Sequence, residues 1–267
     1  MDQRSKDLRK LILCALEAAR RGHLGSSMSL VEILRVLYDD VMVYDVKKPK
    51  DSNRDRLILS KGHGCLALYA ILADKKFFNK NELTTFCAFD SRLGGHPELD
   101  KLPGVEATTG ALGHGLSIGV GISIAIKLKK KKCKTFVIVG DGEINEGSNW
   151  EAALSASKNK LENLTLIIDY NKYQSYGKIE EVLSLEPLRE KLESFGFETV
   201  EVDGHSVNEM KKVFKSLPFK NEKPSAIICH TVKGKGFEFA ENNSSWHHKS
   251  RMTDDEIQMM YTALEKC

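Results

Sequence analysis

The sequence lacks most of the compositional features that would place it in a specialised class of protein. It has no long apolar run that could cross a membrane, and its charged N-terminus shows no signal peptide. Its few cysteines include no Cys-x-x-Cys pair, which argues against a disulfide framework and a zinc site. The six are Cys14, Cys65, Cys87, Cys133, Cys229 and Cys267. We therefore expect a soluble protein of the reduced cytoplasm.

The chain also lacks a strong charge of either sign. Its formal net charge is +3, so no global field recruits nucleic acid or a membrane surface. One local exception is Lys127–Lys134, which carries six lysines. Lysines at a solvated helix end complement the helix dipole, and this interpretation is favoured over a nucleic-acid-binding patch. A basic binding module stays a distant alternative, and it predicts strongly salt-dependent binding.

The order of apolar runs predicts one α/β domain over residues 1–267. Strands are predicted at 56–60, 136–139, 164–168, 197–202 and 225–230. Helices are predicted at 5–21, 29–40, 65–73, 207–217 and 254–266, and within 110–132 after a glycine-rich opening. Such alternation indicates a doubly wound, mainly parallel sheet with helices on both faces. The helix that follows Gly110 is apolar almost all round, so we expect it to be buried, with Gly119 and Gly121 packed closely against a neighbour.

The stretch Thr135–Tyr176 holds two short strands joined by a helix, as in a parallel βαβ unit. Asp141 and Asn171 follow the two strands directly, and in such sheets ligands bind beyond the carboxyl ends of the strands. Both residues are also common in turns. Their oxygens, together with the glycines flanking Asp141, favour a site for a hard cation and a phosphate group.

A second glycine-rich segment, Gly110–Gly115, leads into a predicted helix. A helix N-terminus attracts anions, and glycines leave room for a diphosphate. The spacing is also that of a dinucleotide fingerprint, which would make the protein a nicotinamide-dependent oxidoreductase. That fingerprint should follow a strand, and residues 105–109 form a poor one.

Several histidines and one acid are candidates for catalysis. His23, His63 and His96 each lie in a glycine-flanked loop, where a ring is free to face a ligand. Rings that converge on one cleft would suit proton transfer and hydroxyl recognition near neutral pH. Glu146 opens the helix after Asp141, where the dipole favours an acid, so a structural role is about as well supported as a functional one.

Taken in order, the motifs resemble the N-terminal half of the transketolase family. GDGEINEGSNWEAA with a later Asn-Lys-Tyr resembles the thiamine-diphosphate fingerprint. RGHLGSSMS, LSKGHGCLALY, GGHPE, TTGALGHGLSIGVG, VDGH and the stretch from TVKGKG to WHH resemble further family motifs, between about residues 8 and 250. The resemblance implies the thiamine-diphosphate-binding fold, in the form that binds the diphosphate end.

The resemblance also implies roles for matching residues. Asp141, Asn171 and the backbone carbonyl of Tyr173 would hold Mg²⁺ or Ca²⁺. The implied cofactor-binding residues are His63, Gly110, Leu112, Gly113, Gly142, Glu143 and Asn171. The implied catalytic residues are His23, His63, His96, His247 and Glu146, the last resembling an acid that links two cofactor sites across a dimer. His248 stands beside His247, so the choice between these two rings stays open.

Three positions depart from the family pattern. Ala111 stands where proline is usual, His114 where glutamine is common, and Lys172 where glycine is frequent. All three fall in the loops expected to hold the cofactor. They leave the cofactor prediction unchanged but weaken any assignment of the sugar substrate.

Chains of the family continue into a pyrimidine-binding domain and a third domain that have no counterpart in this sequence, so we expect a split enzyme of pentose phosphate metabolism. The implied reaction moves a two-carbon ketol unit from a ketose phosphate to an aldose phosphate, with thiamine diphosphate and Mg²⁺. A separate chain would supply the pyrimidine-binding domain, with its glutamate, and the arginines that hold the sugar phosphate, in a two-plus-two heterotetramer. The main alternative is another thiamine-diphosphate enzyme, either 1-deoxyxylulose-5-phosphate synthase-like or a ketolase for a modified sugar.

Overall fold

A computed structural model of the chain describes residues 1–175 and 177–266. Two predictions therefore touch residues outside this part of the chain. Tyr176, the last residue of the predicted central stretch, and Cys267, the last of the six cysteines, both lie outside the described residues.

Five parallel strands form one sheet in the order β1-β2-β3-β5-β4. The strands are β1 Arg56–Leu59, β2 Thr135–Gly140, β3 Leu164–Tyr170, β4 Glu198–Asp203 and β5 Ser225–His230. Every residue of β2 and β3 is buried, because parallel strands are covered on both faces and can be apolar throughout. The predicted α/β fold with a mainly parallel sheet is confirmed.

Helices cover both faces of this sheet. They are α1 Gln3–Ala19, α2 Leu24–Met28, α3 Val31–Val36, α4 Cys65–Asp74, α5 Gly115–Leu128, α6 Gly147–Lys158, α7 Ile179–Val182, α8 Leu188–Ser194, α9 Val207–Lys215 and α10 Asp254–Lys266. Alternate strand side chains point to opposite faces. Phe136 and Ile138 enter one apolar core, while Val137 and Val139 enter the other. None of the helices in the described part of the chain could span a membrane.

Two predictions of secondary structure near the N-terminus are wrong. The turn predicted over residues 22–27 is largely the short helix α2, and the helix predicted over 29–40 divides into α3 and a π-helical turn, Leu37–Val41. The serines and glycine of α2 have weak helix propensity, but all five of its residues are buried. Tertiary packing therefore overrides local propensity here.

The helix predicted to follow the glycine-rich segment Gly110–Gly115 begins at Gly115. Gly110 and Gly113 have φ angles of 139° and 86°, which a right-handed helix cannot contain. The prediction that α5 is buried on all sides is wrong, since Ile118 is 38% exposed. Gly119 does pack closely, because a side-chain carbon there would overlap Val137, but a carbon at Gly121 would meet none of the described atoms.

Candidate active site

A cleft of about 200 Å³ opens at the carboxyl edge of the sheet, where the βαβ argument placed a ligand. Nine predicted site residues line it: His63, Leu112, Asp141, Gly142, Glu143, Glu146, Asn171, Tyr173 and His247. A larger groove, of about 540 Å³, lies between Phe239 and α10 and gathers none of the predicted residues. The chemistry therefore concentrates in the smaller cleft.

Asp141 follows β2 and is only 2% exposed. Its carboxylate accepts hydrogen bonds from the backbone N–H of Gly142 at 2.8 Å and of Lys172 at 2.5 Å. Burial, and then the nearby Asp169 carboxylate, raise the pKa of Asp141 to about 6. Lys172 has a φ of 67°, in the left-handed region, which gives a physical reason for glycine at this position.

Asn171 and Tyr173 lie beside Asp141 because β3 is the parallel neighbour of β2. The Asn171 amide oxygen accepts from the Tyr173 N–H at 3.1 Å, and its nitrogen lies 3.3 Å from the Asp169 carboxylate. The predicted metal ligands are thus a carboxylate, an amide and a backbone carbonyl. Within residues 1–175 and 177–266, no three His, Cys, Asp or Glu side chains are placed to hold a metal ion.

Lys233 lines the cleft although no role was predicted for it from the sequence. It is 1% exposed, and its ammonium donates to the carbonyls of Tyr173 at 2.9 Å and Gln174 at 3.3 Å. Burial, and then the Lys61 ammonium, lower the pKa of Lys233 to about 8. A lysine in a glycine-rich loop after β5 was the available signal, because that loop begins at the same edge as Asp141.

Lys61, which lines the cleft, forms an ion pair with the buried Asp169, and this pair was also not predicted from the sequence. The two side chains are 1% and 0% exposed. Asp169 also accepts hydrogen bonds from the hydroxyls of Ser29, at 2.6 Å, and Thr231. Burial opposes ionisation of Asp169, but the Lys61 ammonium and these donors hold its pKa below the usual value. The negative charge of Asp169 is therefore compensated.

Glu143 connects three segments around the cleft. Its carboxylate accepts from the Ser60 hydroxyl, from the Gly113 N–H at 2.9 Å and from the Gly140 N–H at 3.0 Å. Burial raises the pKa of this carboxyl group. Glu143 was predicted to bind the cofactor, and it does line the cleft, but its oxygens accept bonds from the protein.

The loop from Gly110 to Gly113 approaches its neighbours closely. A side-chain carbon at Gly110 would lie 2.9 Å from the His96 ring, and one at Gly113 would lie 2.6 Å from the Glu146 side chain. Both glycines also have left-handed φ angles, so no other residue fits without strain. Ala111 and His114 are exposed at the rim, while Leu112 lines the cleft.

Five histidine rings converge beside the cleft, with His23 at the centre. The centroid of the His23 ring lies 5.6 Å from that of His63, 6.1 Å from His96, 5.6 Å from His247 and 4.5 Å from His248. Burial, followed by neighbouring positive groups, lowers the pKa of His23 to about 4 and of His247 to about 3. The pKa of His63 and of His96 is also lowered by burial. These four rings are therefore neutral near pH 7.

The two adjacent histidines occupy different places in this cluster. His247 lines the cleft, and its Nε2 lies 3.2 Å from the Ser175 hydroxyl. His247 Nδ1 is buried and has no hydrogen-bond partner within the described residues. His248 is exposed and stacks at a tilt on His23. His230 stands apart, since its ring contacts Tyr170 and bonds Glu201.

The structure also bears on two alternative interpretations. Residues 105–109 form no strand, so the loop at Gly110 lacks the strand that a dinucleotide fingerprint requires. In the lysine run, Lys127 donates to the carbonyls of Asn159 and Lys160, as expected at a solvated helix end. Neither alternative gains support from the geometry.

A family model and individual relatives both match this chain to transketolases. The family model described as transketolase, thiamine diphosphate binding domain, matches residues 2–265. An apulose-4-phosphate transketolase subunit of Phocaeicola vulgatus is 42% identical over 248 residues, covering 93% of this chain and 88% of that protein. The 6-deoxy-6-sulfo-D-fructose transketolase subunit SqwG of Clostridium sp. (strain MSTE9) is 36% identical, covering 97% of this chain and 94% of that protein.

Solved structures agree with these relatives. The transketolase of Campylobacter jejuni superposes with a TM-score of 0.91 at 30% identity, covering 98% of this chain. This chain spans 42% of the length of that protein. The prediction that the chain belongs to a family of enzymes is confirmed, and the fold is the one that carries the family's thiamine-diphosphate-binding domain.

Proposed function

Because the chain belongs to the transketolase family and matches its thiamine-diphosphate-binding domain, we propose that it is the diphosphate- and metal-binding subunit of a transketolase. One observation carries this proposal: two buried, opposite charges face the same cleft, and neither forms a salt bridge with another described residue. Asp141 accepts from backbone N–H groups, and Lys233 donates to backbone carbonyls. A divalent cation with a diphosphate would compensate both charges.

The donor set fits a hard divalent ion such as Mg²⁺ or Ca²⁺. Asp141, the Asn171 amide and the Tyr173 carbonyl would hold it, because such ions prefer oxygen ligands. The raised pKa of Asp141 supports this assignment, since a cation nearby would stabilise the charged form. The remaining ligands of the ion would come from the diphosphate and from water.

The glycine positions and Lys233 fit a diphosphate. Gly142 lines the cleft, where a side-chain carbon would overlap Gln174, and Lys233 adds positive charge there. Gly110 and Gly113 instead let their loop pack closely on His96 and Glu146. Glu143 holds the Gly113 N–H from behind and so fixes the loop that carries Leu112. When bound, thiamine diphosphate supplies a carbon nucleophile that also acts as an electron sink.

The histidine cluster would handle the sugar. We propose that His23, His63, His96 and His247 bind sugar hydroxyls and exchange protons with them, since rings that are neutral at pH 7 can both donate and accept. Their lowered pKa values support this assignment. Glu146 lines the cleft and is exposed at its edge, where it can face a second copy of the chain.

The proposed reaction is transfer of a two-carbon ketol unit from a ketose phosphate to an aldose phosphate, as in pentose phosphate metabolism. A ketolase for a modified sugar is the second candidate. It is favoured by the names of the two relatives, one belonging to an apulose-4-phosphate and the other to a sulfofructose transketolase. Assays of donor and acceptor pairs with the reconstituted complex would separate the two.

We further propose that a separate chain completes the site. Both relatives named as subunits cover nearly the same length as this chain, which supports a division into two polypeptides. The partner would supply the pyrimidine-binding part and the groups that hold the sugar phosphate, in a two-plus-two assembly. The five free cysteines of the described chain support a reduced, cytoplasmic location.

Calorimetry of thiamine diphosphate with Mg²⁺ tests the proposal, with and without the candidate partner chain. The parent should bind, and Asp141→Asn should lose Mg²⁺-dependent binding by roughly a hundredfold, because a ligand charge is removed while its shape remains. Asp45→Asn, at an exposed loop carboxylate, is the matched control. Circular dichroism checks folding. Equal binding by parent and Asp141→Asn in both conditions would refute the metal site.

A further inference from the structure

The turn that follows β4, Asp203-Gly204-His205, is built to place one imidazole. The Asp203 carboxylate accepts from the His205 N–H at 2.8 Å, which closes the turn. The Gly204 N–H donates to the His230 carbonyl at 2.8 Å, and a side-chain carbon at Gly204 would overlap Thr231. The turn therefore lies tightly against the segment that leaves β5.

Both ring nitrogens of His205 have partners. Nε2 accepts from the Val232 N–H at 2.9 Å, and Nδ1 lies 2.9 Å from a Glu32 carboxylate oxygen. Because Nε2 accepts, the proton of the neutral ring is on Nδ1 and is donated to Glu32. Although burial opposes its ionisation, bonds from His205 and Arg9 lower the pKa of Glu32 to about 2. Glu32 is therefore an ionised acceptor.

Arg9 anchors the other end of this network. Its guanidinium is fully buried and donates to Glu32 at 2.6 Å and 3.1 Å. It also donates to the Lys235 carbonyl at 3.1 Å. The segment 231–235 is thus held at both ends by one network, at Val232 through His205 and at Lys235 through Arg9.

That segment carries Lys233, which lines the cleft, and Thr231, which bonds Asp169. The Thr231 hydroxyl donates to Asp169, and the Lys233 ammonium donates to the Tyr173 carbonyl at 2.9 Å. We propose that His205 is a positioning residue, which fixes segment 231–235 and thereby sets Lys233 against the diphosphate and metal end of the cleft. This inference rests on the proposed function, and it gives a role to a histidine that is not among the residues lining the cleft.

Two substitutions separate positioning from a merely structural role. His205→Gln keeps an acceptor at the place of Nε2, whereas His205→Asn keeps only a polar group at the place of Nδ1, beside Glu32. If His205 acts through Val232, His205→Asn should weaken thiamine diphosphate–Mg²⁺ binding by roughly tenfold or more, and His205→Gln should stay near the parent. If the ring serves only to compensate the charge of Glu32, His205→Gln should weaken binding more than His205→Asn.

The measurements are calorimetry and hydrogen exchange of the Val232 and Lys233 amides on the full chain, with its partner where binding requires it. His230→Asn is the control, since this histidine also bonds a glutamate, Glu201, but at the surface. Faster exchange at Val232 in His205→Asn, with slow exchange kept in His205→Gln, supports the inference. Equal exchange and equal binding in both variants and the parent overturn it.

Failure of the proposed function gives a different result. In that case the parent itself does not bind the cofactor, alone or with the partner, and the exchange measurement alone decides the role of His205. If His205→Asn does not fold, the ¹⁵N chemical shifts of the His205 ring in the parent test the network instead. A protonated Nδ1 with an unprotonated Nε2 supports the network, and a protonated Nε2 overturns it.

Discussion

At the scale of single residues, the buried charge of Asp169 is neutralised by a cation, Lys61. Lys61 is the only cation bonded to Asp169 in the described part of the chain, and both side chains are buried. Lys61→Met would leave Asp169 buried and unpaired, so the free energy of unfolding should fall by about 3 kcal/mol. Urea unfolding at pH 7.5 measures the change. Arg189→Met, which removes an exposed pair with Glu193, should cost less than about 0.5 kcal/mol. Equal stability of Lys61→Met and the parent would contradict the prediction.

The lowered pKa values of the histidine cluster make the fold sensitive to acid. The pKa of His23 is about 4 in the folded chain, against about 6.5 in the unfolded chain. Between these values the unfolded state binds a proton that the folded state does not. Stability is therefore full above about pH 6.5 and is lost as the pH falls towards 4.

His23→Gln should reduce the acid-induced loss of stability. The reduction in the free energy of unfolding lost should be up to about 2 kcal/mol, after allowing for the partial exposure of the ring. The measurement is the melting temperature between pH 4 and pH 7.5, compared with the parent. His230→Gln serves as control because its ring lies at the surface, and its pH profile should follow that of the parent. A His23→Gln profile parallel to the parent's would show that His23 is not the group responsible.

At the scale of elements, α5 offers two glycines with opposite surroundings. A side-chain carbon at Gly119 would overlap the Cγ2 methyl of Val137 on β2, whereas one at Gly121 would meet none of the described atoms. Gly119→Ala should lower the free energy of unfolding by about 1–3 kcal/mol through overpacking. Gly121→Ala should raise it by up to about 1 kcal/mol, because alanine favours the helix.

Each glycine is the control for the other, since both lie within one helix. Urea unfolding should be measured at concentrations where ultracentrifugation shows a monomer, so that association does not contribute. Changes of the same sign in both variants would mean that α5 packs on the sheet differently from the arrangement described.

At the scale of the whole molecule, α5 and α6 present an exposed apolar face. Ile118 is 38%, Leu128 78% and Leu154 58% exposed, and the positions of Gly121 and Gly147 are open. Projecting side chains and open glycines on one surface suit a two-fold interface, which pairs a face with itself. Glu146 directly precedes α6 and also lines the cleft. The two-plus-two assembly proposed above would pair two copies of the chain through this face.

Leu154→Glu should therefore shift the chain towards monomer, because two added charges would be buried across the two-fold axis. Sedimentation velocity over a range of concentrations measures the shift. Val43→Glu alters an equally exposed apolar residue, 69% accessible, outside these two helices and should leave association unchanged. The same sedimentation for Leu154→Glu and the parent would exclude this face as the interface.

The sequence by itself determined the fold class and most of the cleft. Buried parallel strands are apolar throughout, and turns and caps need particular residues, so strands and glycine loops are visible locally. β5 and α10 lie where they were predicted. Asp141 and Asn171 could be paired because successive parallel strands end at the same edge of the sheet. The order of the motifs then identified the family.

Only the tertiary structure decided which charged groups are buried close to one another. Lys233 and Asp141 are 92 positions apart in sequence, and nothing local shows that both are buried in one cleft. The same holds for the Lys61–Asp169 pair and for the network of Arg9, Glu32 and His205. The exposed face of α5 was missed because an apolar sequence does not reveal whether a helix is covered by its own chain or by another. Burial and ion pairing depend on long-range packing, which residue periodicity does not encode.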